Sequence, residues 1–129
     1  MSDTVALSLP VRSELLVLAR ITAATMAARA DFDIEEIEDL RLAVDELCLS
    51  VVGGATSGTV RLEFTLDGAT IAIACELDRS GEPDDGHAPS EPDDLSIRLI
   101  EALVDEHHRD SGTGGGRAWL SKRRSRVEH

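Results

Sequence analysis

Asp39-Leu-Arg-Leu-Ala-Val-Asp-Glu-Leu-Cys-Leu-Ser50 is the stretch on which the fold turns. Leu40, Val44 and Leu47 recur at three- and four-residue spacing, the period of one helix face. Carrying that stripe back to Ile34 and Ile37 and forward to Val51 predicts a helix from Ile34 to about Val52. Asp33 stands in front of it as an N-cap, and Glu36, three residues on, is its capping-box partner. Gly53-Gly54 ends it, because glycine accepts the left-handed C-cap conformation cheaply.

The flanks read outward from this helix. Val5, Leu7 and Leu9 alternate with polar residues up to Pro10, which gives a short first strand. From Val11 to Arg29 the period changes: Leu15, Leu18, Ile21, Thr22, Thr25 and Met26 predict an amphipathic helix, rich in alanine toward its end. Downstream, Val60, Leu62, Phe64 and Leu66 alternate, as do Ile71, Ile73, Cys75 and Leu77, and Asp67-Gly68 between them is a hairpin signal. From Arg79 to Asp94 apolar residues nearly vanish, and a mobile acidic lid loop is expected over 79–94. Leu95, Leu99, Ala102 and Leu103 predict a third helix ending near Glu106. A glycine-rich turn over Gly112–Gly116 and a last strand at Ala118-Trp119-Leu120 follow, and then a solvated basic tail over 123–129. With no repeats and no second domain in the pattern, residues 1–129 read as one domain. The fold class is α+β: a two-layer sandwich with a mixed, largely antiparallel sheet and its helices on one face.

The composition limits what such a domain does. Hydrophobic residues make up 42% of the 129-residue chain and aromatics only 2%, so the core is aliphatic. The formal net charge of −12 repels a phosphate backbone, which excludes direct nucleic-acid binding and suits a basic protein partner. No apolar run reaches membrane-spanning length and no signal peptide opens the chain, so the expected location is cytoplasmic. Cys48 and Cys75 lie in apolar segments without CxxC spacing and read as buried thiols of a reducing compartment. His107-His108 would face opposite ways on an extended segment, which argues against joint chelation. Gly112-Thr-Gly-Gly-Gly116 lacks the lysine of a phosphate loop. His129 could be the stub of a purification tag and is given no role.

The central helix resembles the (R/K)-x-A-V-x-E-x-x-x-N run of RsbW-type anti-sigma factors, built on the histidine-kinase-like ATPase fold. The resemblance makes Glu46 the general base and puts Ser50 where the family's asparagine holds magnesium on the ATP phosphates. Two such groups must project from one helix face, which the four-residue spacing provides. Read without the resemblance, Glu46 is more often just a solvated helix carboxylate. Asp78 matches the aspartate that bonds adenine in the family's D-x-G-x-G segment, with Gly81 the displaced remnant of its glycines. Asp93-Asp94-Leu95-Ser96 replaces a G-x-G step, Ile97–Glu106 resembles the helix that follows it, and Gly115-Gly116-Arg117 resembles the closing G-T-T segment. Leu18-Ala19-Arg20-Ile21 resembles F-A-R-x, whose arginine meets protein partners, so Arg20 is expected on the outer face of the first helix.

The match runs in order from about residue 11 to 122, and its departures all fall on the nucleotide side. It implies an anti-sigma factor that sequesters a stress- or sporulation-class sigma factor and is counteracted by a STAS-domain anti-anti-sigma factor. It also implies a homodimer formed through the sheet edge and first-helix side. The alternative it carries is an active serine-protein kinase acting on the STAS partner. Binding of ATP and Mg2+ is expected to be weak or absent. The carboxylates from Glu82 to Asp94 would repel a triphosphate where a cradle needs amides.

Overall fold

The alternation seen in the sequence builds one continuous apolar sheet face. The computed structural model describes residues 2–53, 55–78, 94–110 and 116–125. Its elements are β1 (Ser2–Pro10), α1 (Ser13–Arg29), α2 (Ile34–Val52), β2 (Thr59–Asp67), β3 (Thr70–Asp78), α3 (Asp94–Leu103), β4 (Glu106–Asp110) and β5 (Arg117–Arg123). The strands lie in the order β1-β2-β3-β5-β4. Every described pairing is antiparallel, so the sheet is not mixed. Register sets Val60 opposite Leu77, Leu62 opposite Cys75 and Phe64 opposite Ile73. Leu120 stands on the far side of Ile73. These residues are buried, and the helices cover them. The β2–β3 hairpin turns at Gly68, whose φ of +63° is one that glycine adopts without penalty.

The sequence pattern does not predict β4, and the third helix stops at Leu103 rather than near Glu106. Glu106-His-His-Arg-Asp110 shows no apolar alternation because it is an edge strand, ordered by its backbone ladder with β5. His107 and His108 stand opposite Leu120 and Trp119.

α1 and α2 meet the sheet through different side-chain sizes. In α1 the buried residues are Ala19, Ala23, Met26 and Ala27, while Leu18 and Ile21 are exposed. The expected stripe is therefore rotated, because alanines let the helix approach closely. Thr22 and Thr25 turn their hydroxyls back to the carbonyls of Leu18 and Ile21, both at 2.8 Å. In α2, Leu40, Val44, Leu47 and Val51 are buried as the pattern requires. Ile34 is not: it is 81% exposed, in the first turn, and Phe32 just before the cap is buried instead. The capping box is formed, with the Glu36 amide donating to Asp33 Oδ1 at 2.7 Å and the Asp33 amide to Glu36 Oε1 at 3.0 Å. Gly53 closes the helix with φ +56°. Beside that end, a Cβ on Gly116 would lie 3.0 Å from the Val51 carbonyl oxygen, so this glycine lets β5 pass close to α2.

Of the basic C-terminal run, Arg123–Ser125 makes hydrogen bonds to the domain while Arg123 and Ser125 stay exposed, and residues 126–129 lie outside the described residues. Lys122 Nζ donates to the Leu103 carbonyl at 2.8 Å and Arg124 to the Ala30 carbonyl at 2.6 Å. Arg109 Nη2 donates to the Ser50 carbonyl at 3.2 Å. Each helix thus receives a cation on the carbonyls of its C-terminal end, where orphan acceptors and the helix dipole favour one. For α2 and α3, whose last turns hold no basic residue, that cation comes from the sheet.

The Ser125 amide and hydroxyl bond Glu36 Oε2 at 2.6 and 2.9 Å. Burial alone would raise the Glu36 pKa. Hydrogen bonds from the amides of Ser125 and Asp33 and the Ser125 hydroxyl, with the charge of Lys122, outweigh it and hold the carboxyl below its ordinary value. A depressed folded-state pKa stabilises the fold above the unfolded value and is lost as pH falls through the folded one. Glu36→Ala should cost about 1–2 kcal/mol at pH 7, the size of a lost cap. In urea unfolding from pH 7 to 3, the gap from wild type should stay level at first and close in the acid range.

Candidate functional site

The inner face of α2 is committed to the sheet, so its chemistry lies on the outer face. Leu42, Asp45, Glu46 and Leu49 follow one another there at helical spacing. With α1 and α3 as walls they line a cleft of about 300 Å³. Glu46 is half-buried in it and accepts a hydrogen bond from the Ser96 hydroxyl, in the first turn of α3. The start of a helix favours a carboxylate. An internal anion therefore stands where the resemblance would lead a phosphate to the amides of this helix.

Arg20 is not on the outer face opposite the core. It reaches across from α1, half-buried, and its Nε lies 3.0 Å from Asp45 Oδ1. Burial raises the Asp45 pKa; the Arg20 guanidinium lowers it and the Glu46 charge adds to the rise, leaving it above its ordinary value.

Ser50 is buried, and its hydroxyl donates to the Leu47 carbonyl at 2.8 Å within α2. Its side chain is turned along its own helix. Asp78 ends β3 one residue past the inward-facing Leu77, and its carboxylate lies 3.2 Å from Arg61 Nη2. The alternation gives it the sheet face away from the helices. The structure therefore brings Glu46 and Ser96 together, and Arg20 and Asp45 beside them, but sets Asp78 apart. Gly81, the acidic loop over 79–93 and the glycines at 112–115 lie outside the described residues.

Among the described residues, no group of three or more His, Cys, Asp or Glu side chains is arranged to hold a metal ion. His107 Nε2 lies 3.6 Å from Glu101. Cys48 and Cys75 are free and buried. Their mutual hydrogen bond, followed by burial, raises the Cys75 pKa far above its ordinary value and keeps that thiol protonated and inert.

Nothing in the sequence pattern assigns a role to Asp45, Arg109 or the exposed Leu42 and Leu49. The two leucines had a usable signal, since they fall off the buried stripe of α2 seven residues apart. Arg109 had none, because only its register opposite Ala118 turns it inward.

Five antiparallel strands backed by three helices, with a glutamate on the central helix facing the start of the next, are the frame of a GHKL-type ATPase domain. Residues 9–122 match the model of the histidine kinase-like ATPase domain family, and the chain belongs to that family. It is 32% identical over 127 residues to the serine-protein kinase RsbW of Halalkalibacterium halodurans, covering 85% of this chain and 78% of that protein. With the serine-protein kinase RsbW of Bacillus subtilis it shares 28% over 122 residues, 81% of this chain and 76% of the relative. A crystal structure of the RsbU and RsbW domains of Rv1364c from Mycobacterium tuberculosis superposes on 97% of the chain with a TM-score of 0.72 and 20% identity. The chain spans 33% of that longer protein.

A raised carboxyl pKa means that the native state holds the proton more tightly than the unfolded chain, so stability falls as pH rises through the window between the two values. Asp45→Asn should therefore match or exceed wild-type stability at pH 7. Arg20→Gln should lower it by about 1 kcal/mol or less, since the ion pair is partly solvated. Chemical denaturation of both variants at pH 7 and 4 reads the contrast, and an equal loss in the two would mean that the pair is net stabilising.

Proposed function

We propose that this chain is a protein-binding regulator: an anti-sigma factor that sequesters a stress- or sporulation-class sigma factor and is released from it by a STAS-domain anti-anti-sigma factor. The observation that carries the reading is the engagement of both residues of the nucleotide motif inside the fold, Glu46 with the Ser96 hydroxyl and Ser50 with the Leu47 carbonyl. A magnesium–triphosphate site needs an open metal ligand and compensation for the phosphate charge. The described residues do not fit that group: Ser50 is turned along its helix, Asp78 lies on the other sheet face, and the cleft floor holds two carboxylates. ATP binding is accordingly weak or absent. Family membership supports the domain's regulatory setting, and the acidic surface favours fast encounter with a basic sigma factor. No helix among the described residues is long and apolar enough to cross a membrane.

The second reading, an active serine-protein kinase, is favoured by the names of the RsbW relatives and by the retained glutamate. Glu46 would then serve as base toward the serine of a STAS partner. Homodimerisation belongs to the same proposal, with β1 available as an edge strand at one end of the sheet.

Calorimetric titration with magnesium–ATP should give no heat of binding in the low-micromolar range, and incubation with the STAS partner should leave its serine unphosphorylated. A low-micromolar dissociation constant, or serine transfer abolished by Glu46→Ala, would establish the kinase reading instead. On the partner side, Arg20→Gln should weaken sigma-factor capture while the fold is retained. An unaltered dissociation constant would limit Arg20 to its pairing with Asp45.

A further inference from the structure

The outward surface of the helical layer is more apolar than a solvated face requires. Among the described residues, eight of the nine exposed large apolar side chains sit on α1, α2 or α3, and the ninth is Val5 on β1. Leu42 and Leu49 are each 56% exposed, Ile21 55% and Leu95 66%. Contiguous apolar surface rimmed by charge marks an interaction site. Here it is also shaped: Leu42 and Leu49 are one heptad apart along the cleft floor, with the carboxylates of Asp45 and Glu46 between them. Val17 of α1 and Leu99 of α3 form the walls.

The chemistry of this cleft selects among occupants. The chain's own segment 79–93 carries five carboxylates and no Leu, Ile, Val, Met, Phe or Trp, so it offers no large apolar anchor and adds like charge. A second copy also carries a net charge of −12 and would bring like charge to an acidic floor. An amphipathic helix with apolar side chains one heptad apart and lysine or arginine between them satisfies both the leucines and the carboxylates, in the helix-in-groove mode. We infer that the α1–α2–α3 cleft is a docking groove for a cationic amphipathic helix of a protein partner, anchored on Leu42 and Leu49 and oriented by Asp45 and Glu46. The inference rests on the partner-binding reading above and specifies the surface and the chemistry that serve it.

The probe is a fluorescein-labelled synthetic peptide of about 18 residues, with leucines at heptad spacing and lysine and arginine between them. A scrambled peptide of identical composition controls for charge alone. Wild-type protein should bind the ordered peptide with a micromolar dissociation constant and the scrambled one at least about tenfold more weakly. Amide shifts in heteronuclear NMR spectra should centre on Leu42, Glu46, Leu49 and Leu99. Leu42→Glu with Leu49→Glu should weaken peptide binding by tenfold or more while circular dichroism and Tm stay at wild-type values, since both side chains are exposed.

Equal binding of the two peptides, undiminished binding by the double variant, or shifts confined to the sheet would overturn the groove. So would light scattering in which a wild-type dimer becomes monomeric in the double variant, because the cleft would then be a self-interface. Capture of the sigma factor by wild-type and variant protein separates the two claims. Equal capture by both removes the groove and leaves the anti-sigma reading standing. No capture by either, with peptide binding intact, removes the anti-sigma reading and leaves the groove.

Discussion

α2 has to satisfy two surfaces at once. Its inner side, Leu40, Val44, Leu47 and Val51, is fully buried, and at its C-terminal end the chain entering β5 passes so close to Val51 that a Cβ at position 116 would lie 3.0 Å from its carbonyl oxygen. That packing fixes the rotation of the helix about its axis. Once the rotation is fixed, the side chains on the opposite side of the helix have no freedom over where they point. Leu42, Asp45, Glu46 and Leu49 face outward because the aliphatic stripe faces inward, and the candidate site is the reverse side of the core.

The second constraint is electrostatic. With 13 lysines and arginines against 25 aspartates and glutamates, the placement of each cation matters. Arg109, Lys122 and Arg124 come from the β4–β5 side and meet carbonyls at the C-terminal ends of α2, α3 and α1. These contacts tie the helical layer to the sheet at the points where helix backbones are least satisfied. Arg20 is held by Asp45, and Arg61 and Arg117 pair with Asp78 and Glu76 on the open sheet face. The carboxylate surplus is left at the surface, including the cleft floor, where it acts at range on approaching partners.

These constraints meet at Glu46. In a phosphoryl-transfer site the protein positions groups and neutralises charge. Here the start of α3 is turned to the chain's own carboxylate through Ser96, and the hydroxyl that would replace a metal-binding amide bonds its own helix. The chain has the fold of a histidine kinase-like ATPase domain, and both of these polar groups are hydrogen-bonded within it. The outer side of α2 presents the exposed Leu42 and Leu49 beside the Asp45 and Glu46 carboxylates.

Local pattern was enough for much of this. The spacing in Ile34–Val52, the Asp33–Glu36 box and the Asp67-Gly68 turn are short-range physics, and strand alternation decides which side chains share a face. Those features, with the ordered motifs from residue 11 to 122, determined the architecture and the candidacy of Glu46. Tertiary structure decided the rest, because it depends on atoms distant in sequence. Alanines rather than Leu18 and Ile21 are buried in α1, since close approach to the layer beneath outweighs side-chain hydrophobicity there. β4 exists because β5 offers it a backbone ladder, which no side-chain pattern in Glu106–Asp110 announces. The partners of Glu46, Arg20 and Ser50 follow from how helices cross, from Asp45 lying within reach of α1 and from Ser96 arriving fifty positions later at the start of α3. A sequence can name the residues able to do chemistry; the packing of three helices on one sheet determines which of them are already occupied.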